Sequence, residues 1–188
     1  MKVGRPRRTG HAPFKVRDLK AGDPRAWTNF VQVVGSKIAG YALRMGAPDP
    51  DDIMSATMEI LARRIGSFEG SETQLRSFAF TIAHGRIVDA LRQKARRNEI
   101  PFEDREDVIG WTESPEMEFF DSQLLGALSE LSAEQRQMID LRYVVGLSTK
   151  ETAEVIGKSE VATRVALSRA QTKLKLIMQK YDSGEATA

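Results

Sequence analysis

Cysteine is absent from the 188 residues, which excludes disulfides, thiol catalysis and cysteine-ligated metal sites and fits a reducing compartment such as the cytoplasm. Histidine occurs only as His11 and His84, too few for a His-rich metal cluster. No run approaches the roughly 18 consecutive apolar residues of a membrane span. The basic N-terminus MKVGRPRRTG has no apolar stretch behind it, so it does not read as a secretory signal. Strand-type alternation is almost missing and no repeat recurs. What is present is an ordinary globular composition, 41% apolar and 29% charged, enough for one domain or two small ones. The net charge of +2 hides segregation: residues 1–25 carry eight Lys/Arg against two Asp, residues 98–121 nine Asp/Glu against Arg105, and residues 158–180 six Lys/Arg against Glu160. Two basic regions flanking an acidic one suggest a polyanionic partner and a segment that avoids it, set against a plain reading as solvated faces.

Helical spacing dominates. Asp23-Pro24 is a capping residue followed by proline at the first helical position, and the apolar residues Trp27, Phe30, Val31, Val34, Ile38, Tyr41 and Leu43 then predict a helix to about Met45. Asp49-Pro50 repeats the signal before Ile53, Thr57, Ile60, Leu61 and Ile65, with Gly66 as the stop. Residues 68–73 read as a loop. A long helix follows with Leu75, Phe78, Ala79, Ile82, Ala83 and Leu91, running out into Arg92, Lys94, Arg96 and Arg97. Residues 98–114, with Pro101, Gly110 and many carboxylates, read as an acidic flexible linker. Ser114-Pro115 starts another helix with Met117, Phe120, Leu124, Leu128 and Leu131 in one stripe, and Ser132…Gln135 and Ser148…Glu151 are capping boxes. The expected architecture is all-α: a basic tail (1–20), a helical domain (21–97), the linker (98–114), a second helical domain (115–180) and a short tail (181–188).

The second domain carries the clearest signal. In GLSTKETAEVIGKSEVATRVALSRAQTKL, a short helix ends at a turn with Gly157, and Ser159 caps a longer helix. Ala153, four residues before Gly157, suits the crossing of two steep helices. This is the helix-turn-helix plan, whose second helix enters the major groove; a helical hairpin with a basic exposed side is the plainer reading. On that second helix Arg164, Arg169, Lys173 and Lys175 are suited to phosphates or guanine edges, its N-terminal half offers Ser159, Thr163 and Ser168, and Val165 sits beside Arg164.

The stretch from Leu131 to Leu174 resembles region 4 of sigma-70-type RNA polymerase sigma factors, closest to the extracytoplasmic-function (ECF) group. The matching residues include Arg136, Leu141, Arg142, Tyr143, Gly146, Ser148, Glu151, Ala153, Gly157, Ser159 and Leu167. Residues 22–30 are similar to the start of region 2.1, residues 49–68 to region 2.2, and residues 68–97 to regions 2.3 and 2.4, through Phe68, Gly70, Arg76, Phe78, Ile82, Arg86, Asp89 and Arg92. Ser55 and Ala56 stand where the family usually has Gln-Glu, and Lys158 and Thr163 where it usually has apolar residues. The resemblance implies a transcription initiation factor that binds core RNA polymerase through the largest-subunit clamp helices and the flap. It would recognise −10 and −35 promoter DNA, help melt the former, and in many members meet an anti-sigma factor. The implied polymerase face is Asp49, Asp52, Ile53, Ser55, Ala56 and Glu59. The implied −10 contacts are Glu69, Gly70, Ser71, Thr73, Gln74, Arg76, Phe80, Arg86 and Arg92, with residues 69–74 as the loop that holds a flipped base. The implied −35 contacts are Thr149, Lys150, Ser159, Arg164, Val165, Ser168, Arg169 and Lys173.

Other chemistries find little support. Asp49, Asp51 and Asp52 lack the glycine-containing loop and later Glu of an EF-hand, so helix capping is the better reading and no metal is expected. His84 has no partner motif for general-base work, and no catalytic residue or cofactor is expected. Phe78 is expected in the core, while Phe80, on another face, is expected to be free to stack on an unpaired base. GRPRR at residues 4–8 resembles a minor-groove arm but reads first as a basic tail. The expected location is cytoplasmic, at the nucleoid. The alternative function is a freestanding helix-turn-helix regulator, which requires an effector pocket or dimer face in the first domain.

Overall fold

The computed structural model describes residues 14–97 and 122–182. The linker 98–114, Met117, Phe120, His11 and the basic motif 4–8 lie outside these described residues. The described residues form helices α1 (Val16–Lys20), α2 (Pro24–Phe30), α3 (Ser36–Arg44), α4 (Pro50–Arg64), α5 (Glu72–Arg97), α6 (Ser122–Ser129), α7 (Ala133–Ile139), α8 (Thr149–Ile156) and α9 (Glu160–Asp182). Wider π-type turns at Val31–Gly35 and Asp140–Val144 join α2 to α3 and extend α7. The start signals act as their chemistry requires: Asp23 accepts the Arg25 N–H at 2.9 Å, and Asp49 accepts the Asp52 N–H at 2.9 Å. Each thereby satisfies a donor that the first turn leaves unpaired. The π turn brings Gly35 against α4, where a Cβ would lie 3.4 Å from the Met54 sulfur.

Two boundaries differ from expectation. The tail assigned to residues 1–20 ends inside the fold: Phe14, Val16 and Leu19 are buried. Phe14 packs edge-on against Phe30 at 4.7 Å, and Trp27 donates its indole N–H to the Leu19 carbonyl at 3.1 Å. Lys15, Arg17 and Lys20 are exposed between these anchors, so the basic composition concealed a short amphipathic helix. The loop expected over residues 68–73 also closes early. Ser71 and Gln74 cap each other's backbone, at 3.3 and 2.9 Å, so α5 starts at Glu72.

The two domains are docked. Leu141, Val145, Leu147 and Val155 of the second domain lie in the same core cluster as Phe30, Ile38, Leu61 and Leu75 of the first. A polar seam runs beside this contact. Arg44 donates to both carboxylate oxygens of Asp140, at 2.8 and 3.3 Å, with the two side chains 3% and 0% exposed. The Gln137 amide nitrogen reaches Tyr41 Oη at 3.1 Å and His84 Nδ1 at 3.0 Å, and Tyr41 Oη lies 3.1 Å from the same Nδ1. Ser77 donates to Glu154 at 3.1 Å, Lys37 to the Val145 carbonyl at 3.3 Å and Arg76 to the Gly146 carbonyl at 3.2 Å. A second, smaller core of Leu128, Leu131, Met138, Ile139, Leu167 and Ala170 holds α6, α7 and α9 together.

The Gln137 amide nitrogen lies 3.0 Å from His84 Nδ1 and 3.4 Å from its Nε2, and Tyr41 Oη lies 3.1 Å from Nδ1. Burial holds the His84 pKa below its usual value. The same desolvation drives the Tyr41 hydroxyl far upward, so it stays protonated. As pH falls, the unfolded chain therefore takes up the His84 proton first. The stability tied to a neutral His84 is complete above about pH 6.5 and declines below it. The urea midpoint should fall between about pH 7.5 and about pH 5.5 by more in the native chain than in His84→Gln; equal slopes for the two chains would contradict this assignment.

Candidate nucleic-acid interface

The helix-turn-helix is built from α8, the turn at Gly157 and α9. Both capping boxes form: Ser132 with Gln135 opens α7, and Ser148 with Glu151 opens α8. Gly157 takes a left-handed conformation, φ 68°, which closes α8 with its N–H on the Ala153 and Glu154 carbonyls and which favours glycine. The Ser159 hydroxyl accepts the Ala162 N–H at 3.2 Å and starts α9. Ala153 is buried, as a close helix crossing requires. Two residues from the family pattern prove structural: Arg136 donates to the Ser129 and Leu131 carbonyls, and Arg142 to the Leu147 carbonyl.

The faces of α9 follow from its phase. Thr163, Leu167, Ala170 and Ile177 are buried and point inward. On the opposite side Val161, Val165, Ser168 and Thr172 form one exposed stripe, all within about 60° at 100° per residue. Arg164 and Arg169 flank this stripe on opposite sides, about 140° apart. Arg164 is paired with Glu160 at 2.7 Å. Lys173 donates to the Glu130 carbonyl at 2.6 Å, and Lys158 is bonded to Glu134. Arg169, Lys150 and Lys175 are exposed; the side chains of Arg169 and Lys150 sit beside the stripe and at the start of α8. Thr149 is half-buried at the first position of α8. Val161, 68% exposed, belongs to the stripe but not to the expected contacts. Its signal was available: it sits one helical turn before Val165.

In the first domain, Asp49, Asp52, Ser55 and Glu59 are exposed along one side of α4 and Ala56 is partly so. Asp49 is the cap, and Glu59 pairs with Arg63 at 2.7 Å. Ile53, expected on the polymerase face, is instead 5% exposed and part of the core. Before α5, Glu69, Gly70 and Ser71 are exposed, and Thr73 and Gln74 are exposed in its first turn. A Cβ on Gly70 would come within 2.8 Å of the Phe68 ring, so the turn fits glycine closely. Arg86 and Arg92 are exposed further along α5, Arg92 lying 3.8 Å from Asp89.

Two expected −10 contacts are displaced. Phe80 is fully buried, edge-on to Tyr41 at 5.9 Å, whereas Phe78 is half-buried and stacks on Phe68. The reason is phase: Phe80 lies on the side of α5 that carries Ser77 and His84 and meets the second domain. Arg76, half-buried, is turned to the Gly146 carbonyl and lies 3.6 Å from Glu151.

No helix among the described residues is long and apolar enough to cross a membrane, and no group of three or more potential metal-binding side chains gathers among them. A groove at α2 is lined by Pro24, Arg25, Thr28, Asn29 and Gln32.

Thr163 adds a stability test. Its hydroxyl is buried with no hydrogen-bond partner, at a position where the resemblance expects an apolar residue. Thr163→Val should raise the unfolding free energy by about 1 kcal/mol in urea titration; a loss of stability would show that the hydroxyl is satisfied.

The comparisons agree with these two modules. Residues 30–97 match the family description "Sigma-70 region 2" and residues 121–174 match "Sigma-70, region 4". The chain is 30% identical over 137 residues to the ECF RNA polymerase sigma factor BldN of Streptomyces coelicolor, covering 71% of this chain and 52% of that protein. It thus spans about half the length of that relative. It is 27% identical to the ECF RNA polymerase sigma factor SigF of Caulobacter vibrioides, over 86% of this chain and 90% of SigF. The fold is shared with the sigma factor RpoE of Bartonella quintana, solved with its anti-sigma factor NepR, at a TM-score of 0.61 and 22% identity over 81% of this chain and 96% of that one.

Proposed function

Because this chain belongs to the sigma-70 family of RNA polymerase sigma factors, in its extracytoplasmic-function group, we propose that it joins core RNA polymerase and divides promoter recognition between its two domains. The observation that carries this reading is the pairing, in one chain and in the family's order, of a region 2 bundle with a region 4 helix-turn-helix whose second helix presents an exposed stripe. The acidic end of α4, with Asp49, Asp52, Ser55, Ala56 and Glu59, is the proposed contact with basic residues of the largest-subunit clamp helices. The segment Glu69, Gly70, Ser71, Thr73 and Gln74, with Arg86 and Arg92, is the proposed −10 surface. Val161, Val165 and Ser168 between Arg164 and Arg169, with Ser159, Lys150, Thr149 and Lys173 at the margins, form the proposed −35 surface. Apolar valines suit thymine methyl groups, and arginine suits guanine edges or phosphates. The carboxylates of residues 98–121 are repelled by phosphate, which suits a connection that stays off the duplex. An anti-sigma partner, like that solved with the Bartonella protein, and a cytoplasmic location at the nucleoid belong to the same proposal.

Asp52→Arg reverses a charge on the polymerase face and should weaken binding to core polymerase by about 1–3 kcal/mol in a pull-down titration. Unchanged affinity in the folded variant would remove α4 from the contact.

The two arginines of α9 should behave differently. Arg164, nearer the helix start, should on removal cost about 1–3 kcal/mol at one or two base positions and relax specificity there. Arg169→Ala should weaken every sequence alike and reduce the salt slope by about one unit. Selections on randomised −35 elements at two salt concentrations separate these outcomes, and identical losses would defeat the division of roles.

A further inference from the structure

We propose that α1, with the cationic segment before it, is a third contact of this chain with promoter DNA, holding backbone phosphates beside the −10 element without regard to sequence. The proposal rests on the −10 reading above and adds a surface outside the expected contacts. Helix α1 has five residues, too few to be stable alone in water. Its place is set by anchors: Val16 and Leu19 are buried, Phe14 packs on Phe30, and the Trp27 indole N–H holds the Leu19 carbonyl. What this anchoring fixes in space is an outer side made of Lys15, Arg17 and Lys20, all exposed.

The position of that side points to its ligand. Helix α1 packs against α2 and against the turn Ile65–Ser67. Only Phe68 separates this turn from Glu69, the first residue of the proposed −10 segment, and the exposed Arg64 precedes it. Duplex DNA carries about one negative charge per 1.7 Å of its axis. DNA held at residues 69–74 and continuing over the turn meets the α1 cations with its phosphates.

The carboxylates of this part of the fold are already engaged. Asp18 is paired with Arg17 at 3.0 Å, and Asp23 caps α2. Lys15, Lys20 and Arg25 have no ion-pair partner among the described residues. Ahead of Phe14 the sequence adds Lys2, Arg5, Arg7 and Arg8 and no carboxylate. From the anchored Phe14, residues 1–13 reach at most about 45 Å, enough to follow a backbone past several phosphates. Residues 1–25 hold no Asn or Gln to read adenine edges, so this contact supplies affinity and position and leaves sequence to the other two surfaces.

The native chain has no cysteine, so Lys20→Cys and Lys175→Cys, both at exposed positions, can each carry a tethered iron–EDTA group that cleaves nearby DNA. With core RNA polymerase and a promoter fragment recovered by run-off transcription, the tether at position 20 should cut beside the −10 element and the tether at position 175 near the −35 element. The triple variant Lys15→Gln, Arg17→Gln, Lys20→Gln should weaken binding of the polymerase complex to that fragment about 10-fold or more at about 100 mM KCl and lower the salt slope by about two units. The loss should be the same for every −10 sequence, with affinity for core polymerase and helix content by circular dichroism unchanged. The charge-keeping variant Lys15→Arg, Arg17→Lys, Lys20→Arg should bind as the native chain does. Cuts from position 175 with none from position 20, or a native salt slope in the glutamine variant, overturn the proposal and leave the two-element reading standing. A loss of core affinity in the glutamine variant assigns α1 to an acidic polymerase face and overturns it as well. If the native chain joins no polymerase, the functional reading fails instead. Anisotropy titration of a labelled duplex of about 30 base pairs with the free chain then decides whether the α1 cations hold phosphate: a lowered salt slope in the glutamine variant supports it, and a native slope overturns it.

Discussion

The Arg44–Asp140 pair is the constraint on which the arrangement of this molecule turns. Both side chains are removed from water, and a guanidinium meeting a carboxylate through two parallel bonds is the geometry that best compensates that loss. Taking away either partner from such a pair costs about 3–5 kcal/mol, a large share of the stability of a small domain. The pair joins the end of α3 to the π turn after α7, and the other seam contacts radiate from it. Tyr41 lies one turn before Arg44 and Gln137 about one turn before Asp140, so the two helices that carry the ion pair also carry the bonds to His84. With the seam closed, α5 is covered on two sides, by α3 and α4 and by α8, and Phe80 is buried against Tyr41.

Rigidity in the second domain comes from other sources. Two capping boxes, the left-handed Gly157 and the arginines bonded to turn carbonyls fix α7, α8 and the start of α9 by local bonds. The small core of Leu128, Leu131, Met138, Ile139, Leu167 and Ala170 orients α9. With the inward face settled, the opposite stripe from Val161 to Thr172 is held outward without any contribution from the first domain. A surface pre-positioned in this way would lose little conformational freedom on binding a partner.

What the amino-acid sequence makes legible follows from the range of each interaction. Asp23-Pro24, Asp49-Pro50, Ser132…Gln135 and Ser148…Glu151 act within four residues, and each begins a helix where it was expected. The exposure of Arg164, Val165 and Ser168 follows from the phase of the apolar residues around them. The seam was hidden because its partners are far apart in sequence, Arg44 and Asp140 by 96 positions, and because Arg, Asp, Gln and His read as surface residues until a partner covers them. Arg76 differs from expectation for that reason, since it meets Gly146 and Glu151 of the second domain, whereas Phe80 is buried against Tyr41 of its own domain. Ile53 was placed outward by position within the family pattern, although its spacing to Thr57 and Leu61 puts it on the inward face of α4. The short α1 escaped notice because three apolar residues among three cations present no long stripe.

The most direct test of the sigma-factor account is run-off transcription with purified core RNA polymerase over a library of genomic fragments. Addition of this chain should produce transcripts from discrete start sites that core polymerase alone does not make, each preceded by a shared pair of elements at −10 and −35. A chain that binds duplex fragments yet neither associates with core polymerase nor directs any start site would contradict it and return the helix-turn-helix to the role of a freestanding regulator.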